Sequence, residues 1–187
     1  MTIDLPLIWW LAPASAVLSL MTAFVFYQEM MAVDEGNDMM KKIGAAVRDG
    51  AYAYLKQQYK VVAYFLLGTF FVLCFLSYVL KVQGPYVPFA YLTGGFFSGL
   101  AGFFGMKTAT QAAARTANMC RRSLNQGLKV AFRSGAVMGL TVVGLALIDI
   151  SAWFLILRYL FKVESLSIIT TSMLTFGAGA SLQALFA

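Results

Sequence analysis

An all-α membrane protein, a multi-span bundle of transmembrane helices, is the fold class the sequence predicts, on three observations. Hydrophobic residues make up 60% of the 187 residues and charged residues only 12%, about half the charged share usual in a soluble domain. The charges are confined to a few stretches, which leaves uncharged runs over 5–28, 61–80, 82–106, 134–157 (broken only by Asp149) and 165–187. Each run is about 20–25 residues long, the length an α-helix needs to cross about 30 Å of hydrocarbon. Finally, the cations collect between alternate runs, as they do when a chain crosses a bilayer back and forth.

The first span covers about residues 5–28. It is not a cleavable signal peptide, because Asp4 stands where a basic n-region belongs and the apolar stretch exceeds the usual length of about 7–15 residues. "MAVDEGNDMMKK" follows, and its Asp34, Glu35 and Asp38 read as a solvated loop. The second span, about 50–80, is entered through "GAAVRDGAYAYLKQQYK", in which Ala, Leu and Tyr recur at helical spacing without a proline. That pattern predicts one helix that projects beyond the bilayer before entering it. "KVQGPYVP" turns the chain back through Gly84-Pro85 and Pro88.

The third span, about 85–116, leaves through "MKTATQAAARTANMCRRS", where Lys107, Arg115 and Arg122 are spaced to line one helical face. In the fourth span, about 129–160, Lys129 and Arg133 lie one turn apart at the entry, after which the segment becomes apolar. The fifth begins near Ser165 and is still apolar at Phe186-Ala187. It has no closing cap or charge, so the chain reads as an N-terminal fragment cut in mid-helix. The whole of 1–187 is expected to be one transmembrane region with no separate soluble domain.

Lys41, Lys42, Arg48, Lys56 and Lys60 lie between the first two spans, and Lys107, Arg115, Arg121, Arg122, Lys129 and Arg133 between the third and fourth. Only Lys81, Arg158 and Lys162 of the fourteen cations lie on the other side. By the positive-inside rule the basic side is cytoplasmic and the N-terminus external. These cations either snorkel and set topology or attract an anionic ligand beneath the membrane.

Gly95, Gly99 and Gly102 form one small-residue strip, Gly135 and Gly139 a second, and Gly177, Gly179 and Ser181 a third, as suits tight helix packing in lipid. Asp149 is the one acid inside a predicted span. It is either structural, reaching the interface or pairing with a neighbour such as Ser151, or it handles ions. Cys74 and Cys120 read as free thiols. With no histidine in the chain, the commonest general base is missing, and no nucleotide, zinc or nucleophile-elbow motif is present. Nucleic acid is not an expected partner.

Several stretches go beyond generic membrane patterning. "IGAAVRDGAYAYLKQQYK", "SGLAGFFGMKTATQAAARTA", "LNQGLKVAFRSGAVMGLTVVGLALI" and "FGAGASLQALFA" resemble, in family order, successive segments of the membrane-integral ion-translocating pyrophosphatases. The fourth-span stretch is the most specific of these. The resemblance implies a homodimeric pump of about sixteen helices per subunit that hydrolyses pyrophosphate at a cytoplasmic site and moves H+ or Na+ outward. Mg2+ is the implied cofactor, K+ a candidate second one, and a bacterial plasma membrane the expected location, since no N-terminal extension is seen.

In that family the Asp and Lys residues that hold Mg2+ and pyrophosphate follow the fifth span. No position here matches them, so no catalytic, cofactor-binding or metal residue is carried over, and the segment alone is expected to be inactive. The acids are scattered, whereas in-line attack on pyrophosphate needs metals held by several carboxylates. The alternative is a complete small non-enzymatic membrane protein, a carrier subunit or an assembly partner.

Overall fold

A computed structural model describes residues 7–163 and 165–186; the expectations for Asp4, Glu164 and Ala187 lie outside them. Five helices follow one another: α1 (Leu11–Met31, led by a 3-10 turn Leu7–Trp10), α2 (Asp38–Cys74), α3 (Val87–Cys120), α4 (Leu124–Leu155) and α5 (Leu166–Phe186). Among the described residues five helices are long and apolar enough to cross a membrane. α2 and α4 each run on without a break into a π turn, Phe75–Val79 and Ile156–Leu160.

α2 starts well before the predicted span, at a cap in which the Asn37 side chain accepts the Met40 amide at 2.9 Å. With its π turn it is 42 residues long, about 63 Å at 1.5 Å per residue. This is about twice the hydrocarbon thickness, so the basic half stands clear of the bilayer. Asp38, expected in a loop, is its first residue. Pro88, expected to break a helix, sits in the first turn of α3 instead, where its missing N–H has no intrahelical partner to lose. Arg122, expected on the α3 face, lies in the turn after Cys120.

α3 is the centre of the bundle, packing against α2, α4 and α5, while α1 packs on α4. The α3–α5 seam is the tightest. A Cβ added at Gly94 would strike the Phe176 carbonyl oxygen, and one at Gly179 would strike that of Tyr91. Each helix therefore presses a glycine onto a main-chain carbonyl of the other, close enough for Cα–H···O contact. Ser98 Oγ adds a bond to the Ala180 carbonyl at 3.1 Å.

Of the predicted strip, Gly95 meets Leu66 of α2, Gly99 meets Gln183 of α5 and Gly102 meets Tyr59 of α2. That strip is thus shared between two neighbours. Gly135 and Gly139 meet nothing within 4 Å, because α1 seats on the other flank of α4. There Gly144 touches Leu20 and Ala16, and Ser19 Oγ donates to the Leu140 carbonyl at 2.9 Å. Nine residues separate Gly135 from Gly144, about half a turn around the helix at 3.6 residues per turn. Gly177 is likewise open, whereas Gly179 is packed.

Opposite the basic end, α2 and α4 finish in the same way. Leu80 N–H bonds Phe75 O at 3.2 Å and Val82 N–H bonds Leu76 O at 3.1 Å; Phe161 to Ile156 and Val163 to Leu157 repeat the pattern at 3.0 Å each. Between each pair stands a left-handed lysine, Lys81 with φ 52° and Lys162 with φ 51°.

Candidate functional site

Polar side chains gather at two places in this apolar bundle. The first is the basic end, where the α1–α2 link folds back on α3. Gly36 turns the link with φ 99°, and a Cβ there would meet Asn118 and Met40. Asn118 Nδ2 donates to the Asp34 carbonyl at 3.1 Å. Arg115, 7% exposed, donates through Nε to the Val33 carbonyl at 2.9 Å and through a terminal nitrogen to the Gln111 carbonyl at 2.7 Å. That same nitrogen lies 2.9 Å from Glu35 Oε1, which also takes Arg48 at 3.0 Å.

Glu35 is therefore not a solvated loop acid. It is clamped between two guanidinium groups brought in by α2 and α3, and Asp34 alone of the link's two acids stays exposed. Arg115 is a buried clasp, neither snorkelling nor free to meet a ligand. The cations left exposed at this end include Lys41, Lys42, Lys56, Lys60, Arg121, Arg122 and Lys129.

Arg133 closes the α4 side by reaching Glu29 of α1 at 2.7 Å, with the two side chains 25% and 42% exposed. Arg133 is the last cation of α4, and beyond it the helix enters the apolar zone. Because Glu29 is largely wet, Arg133→Ala is expected to cost less than about 1 kcal/mol, read as a small shift in thermal melting.

The second polar place lies about 24 Å further along α4, sixteen residues past Arg133 at 1.5 Å per residue. Asp149 is 3% exposed, so it does not reach the interface, and its partner is not Ser151. Asp149 Oδ2 lies 3.2 Å from Thr93 Oγ1 of α3, which also lies 3.1 Å from the Ala90 carbonyl and 2.8 Å from Trp153 Nε1. Ala90 and Trp153 belong to an apolar cluster with Leu157 and Ile169. Sequence spacing could not reveal this link, since Thr93 is 56 residues away on another span.

Between these places α2, α3, α4 and α5 leave a half-open cavity of about 530 Å³ lined by Leu55, Tyr59, Ala101, Gly105, Met138 and Phe176. Tyr59 spends its hydroxyl on the Gly99 carbonyl at 2.6 Å, so the cavity offers a ligand little but apolar contact. Cys74 and Cys120 are free thiols.

The residues do not fit Mg2+. Among the described residues no three His, Cys, Asp or Glu side chains come together. Glu29 and Glu35 are spent on arginines, and Asp149 sits alone in its span. A hard cation needs several oxygen ligands at once, which these positions do not supply.

Comparison with known proteins agrees with the helical architecture. The family model for inorganic H+ pyrophosphatase matches residues 17–187. The chain is 56% identical, over 97% of its length, to a Bacteroides thetaiotaomicron protein named as a K+-stimulated pyrophosphate-energized sodium pump, and covers 26% of that protein. It is 37% identical over 94% of its length to a K+-insensitive pyrophosphate-energized proton pump of Moorella thermoacetica, covering 24% of it. A Methanosarcina mazei protein with the same type of name is 35% identical, again over 94% of the chain. The chain thus spans about a quarter of the length of the curated relatives it matches. A family-model match over most of the chain, borne by five helices long and apolar enough to cross a membrane among the described residues, makes it a member of the inorganic H+ pyrophosphatase family.

Proposed function

We propose that this chain is the N-terminal membrane region of a pump that couples pyrophosphate hydrolysis at a cytoplasmic face to outward transport of an ion. The observation that carries the proposal is 56% identity across nearly the whole chain to a protein named as a pyrophosphate-energized pump. That relative's name favours Na+ as the ion and K+ as an activator over the K+-insensitive proton pumping named for the more distant relatives.

On this reading 1–187 forms a single membrane unit without a separate soluble domain. The basic end faces the cytoplasm of a bacterial cell, the N-terminus lies outside, and the parent protein works as a homodimer. Mg2+ is the cofactor of the parent, supplying charge neutralisation to the phosphoryl oxygens, and its ligands belong to other parts of that protein. The five helices act as scaffold: the Arg115 clasp and the α3–α5 seam hold them rigid beside the reacting centre. Alone they do not hydrolyse pyrophosphate, because their acids are dispersed or already paired.

The test is made on the parent polypeptide in inside-out membrane vesicles. Mg2+-dependent pyrophosphate hydrolysis, raised several-fold by K+ and accompanied by Na+ uptake, is the expected result. Hydrolysis at background level with expression verified would overturn the proposal. Proton uptake without Na+ uptake would replace the ion while keeping the pump.

A further inference from the structure

The contacts around Thr93 outnumber what its hydroxyl can satisfy beside an ionised Asp149. A threonine hydroxyl has one hydrogen and two acceptor lone pairs. Thr93 Oγ1 has three neighbours at hydrogen-bonding distance: Trp153 Nε1 at 2.8 Å, the Ala90 carbonyl oxygen at 3.1 Å and Asp149 Oδ2 at 3.2 Å. The indole N–H can only donate, so it takes one lone pair of Thr93. The Ala90 carbonyl can only accept. If Asp149 were ionised it too could only accept, and the single Thr93 hydrogen would serve one of the two oxygens while the other pressed against it unbridged.

A proton on Asp149 resolves the arrangement. Its O–H then donates to the second lone pair of Thr93, Thr93 O–H donates to the Ala90 carbonyl, and Trp153 N–H donates to Thr93. All three contacts become hydrogen bonds. The setting agrees with this reading. Asp149 is 3% exposed inside a membrane span, and among the described residues no lysine or arginine lies within ion-pairing distance of it. The cluster that holds its neighbours Ala90 and Trp153 is completed by Leu157, Ile169 and Met173, all uncharged, and Tyr86 is the ionisable group of that cluster. A lone carboxylate in such surroundings is costly, whereas a neutral, hydrogen-bonded acid is not. A metal ion is less well served, because the Trp153 N–H points a positive end into the oxygen group.

We propose that Asp149 is a proton-binding site within the membrane, held as a neutral carboxylic acid whose O–H ties α4 to Thr93 of α3. The proposal does not depend on pyrophosphate chemistry, and its readout is spectroscopic. Infrared difference spectra at neutral pH, with the full chain in lipid, compare the protein with Asp149→Asn. The expected result is loss of a protonated-carboxyl C=O band in the variant. Thr93→Val, which removes the acceptor, is expected to shift that band to higher wavenumber.

Thermal melting adds a second readout. Asp149→Asn keeps an N–H donor toward Thr93 and should melt near the parent temperature, while Asp149→Leu should melt several degrees lower. Loss of ionised-carboxylate bands in place of the protonated band would overturn the site. If the Asn variant does not fold, Thr93→Val decides alone: an unshifted carboxyl region would count against the proton.

Discussion

Gly94→Ala and Gly179→Ala are each expected to destabilise the protein by about 3 kcal/mol, the upper part of the range for overpacking. Overpacking is usually eased by rotating a side chain, but here the new methyl meets a backbone carbonyl, that of Phe176 or Tyr91. A carbonyl within a helix cannot swing aside without breaking its own i→i−4 bond, so α3 and α5 must separate. Separation also stretches the Ser98 Oγ bond to the Ala180 carbonyl, 3.1 Å in the native packing. Both glycines are relieved by the same separation, so the double variant should cost clearly less than the sum of the two. Gly139→Ala is the control: it meets nothing within 4 Å and gains helix propensity, so it should be neutral or slightly stabilising. Thermal melting of the lipid-reconstituted protein measures all four. Equal melting of Gly94→Ala and Gly139→Ala would falsify the account of the seam.

Arg115→Ala is expected to cost about 3 kcal/mol, the lower end of the range for removing one partner of a buried ion pair. The lower end applies because Glu35 keeps Arg48, at 3.0 Å, after Arg115 is gone. What is lost outright is the clasp on the Val33 and Gln111 carbonyls, at 2.9 and 2.7 Å. For a chain of this size the loss corresponds to a melting temperature about 6–12 °C lower. Arg115→Lys should recover only part of it, since one ammonium cannot reproduce the fork that spans Val33, Gln111 and Glu35. Limited proteolysis gives an independent measure: the link around Asp34–Gly36 should become cleavable in Arg115→Ala and stay protected in Arg133→Ala. Equal protection in both would show that Arg115 does not hold the link.

The bundle was legible in the sequence where burial in lipid requires it. An apolar run long enough to span, flanked by cations, has few alternatives, and the membrane-external half of α2 followed from unbroken helical spacing without proline. What escaped were properties of pairs. The acid Glu35 looked like any loop residue because its partners stand 13 and 80 positions away. For Asp149 the sequence offered the interface, a neighbour such as Ser151 or an ion, because nothing local announces Thr93. The glycine strips were seen but not their phase. One residue of shift turns a helical position by about 100°. On α3 the contact with the α5 backbone therefore fell on Gly94, beside the strip that starts at Gly95, and Gly135 and Gly139 were left on the flank that α1 does not cover.

The matching ends of α2 and α4 bear on how much length variation those helices can absorb. Tyr78-Val79-Leu80-Lys81-Val82 and Tyr159-Leu160-Phe161-Lys162-Val163 close in register, each with a lysine in the left-handed slot. Deleting a single residue just ahead of either lysine would move Val82 or Val163 into that slot, and a β-branched side chain is a genuine outlier there. An insertion before Leu80 or Phe161 would deliver that residue instead. Both rods are thus counted from the same hemline, and any lengthening or trimming has to be absorbed at their opposite tips, out in the water.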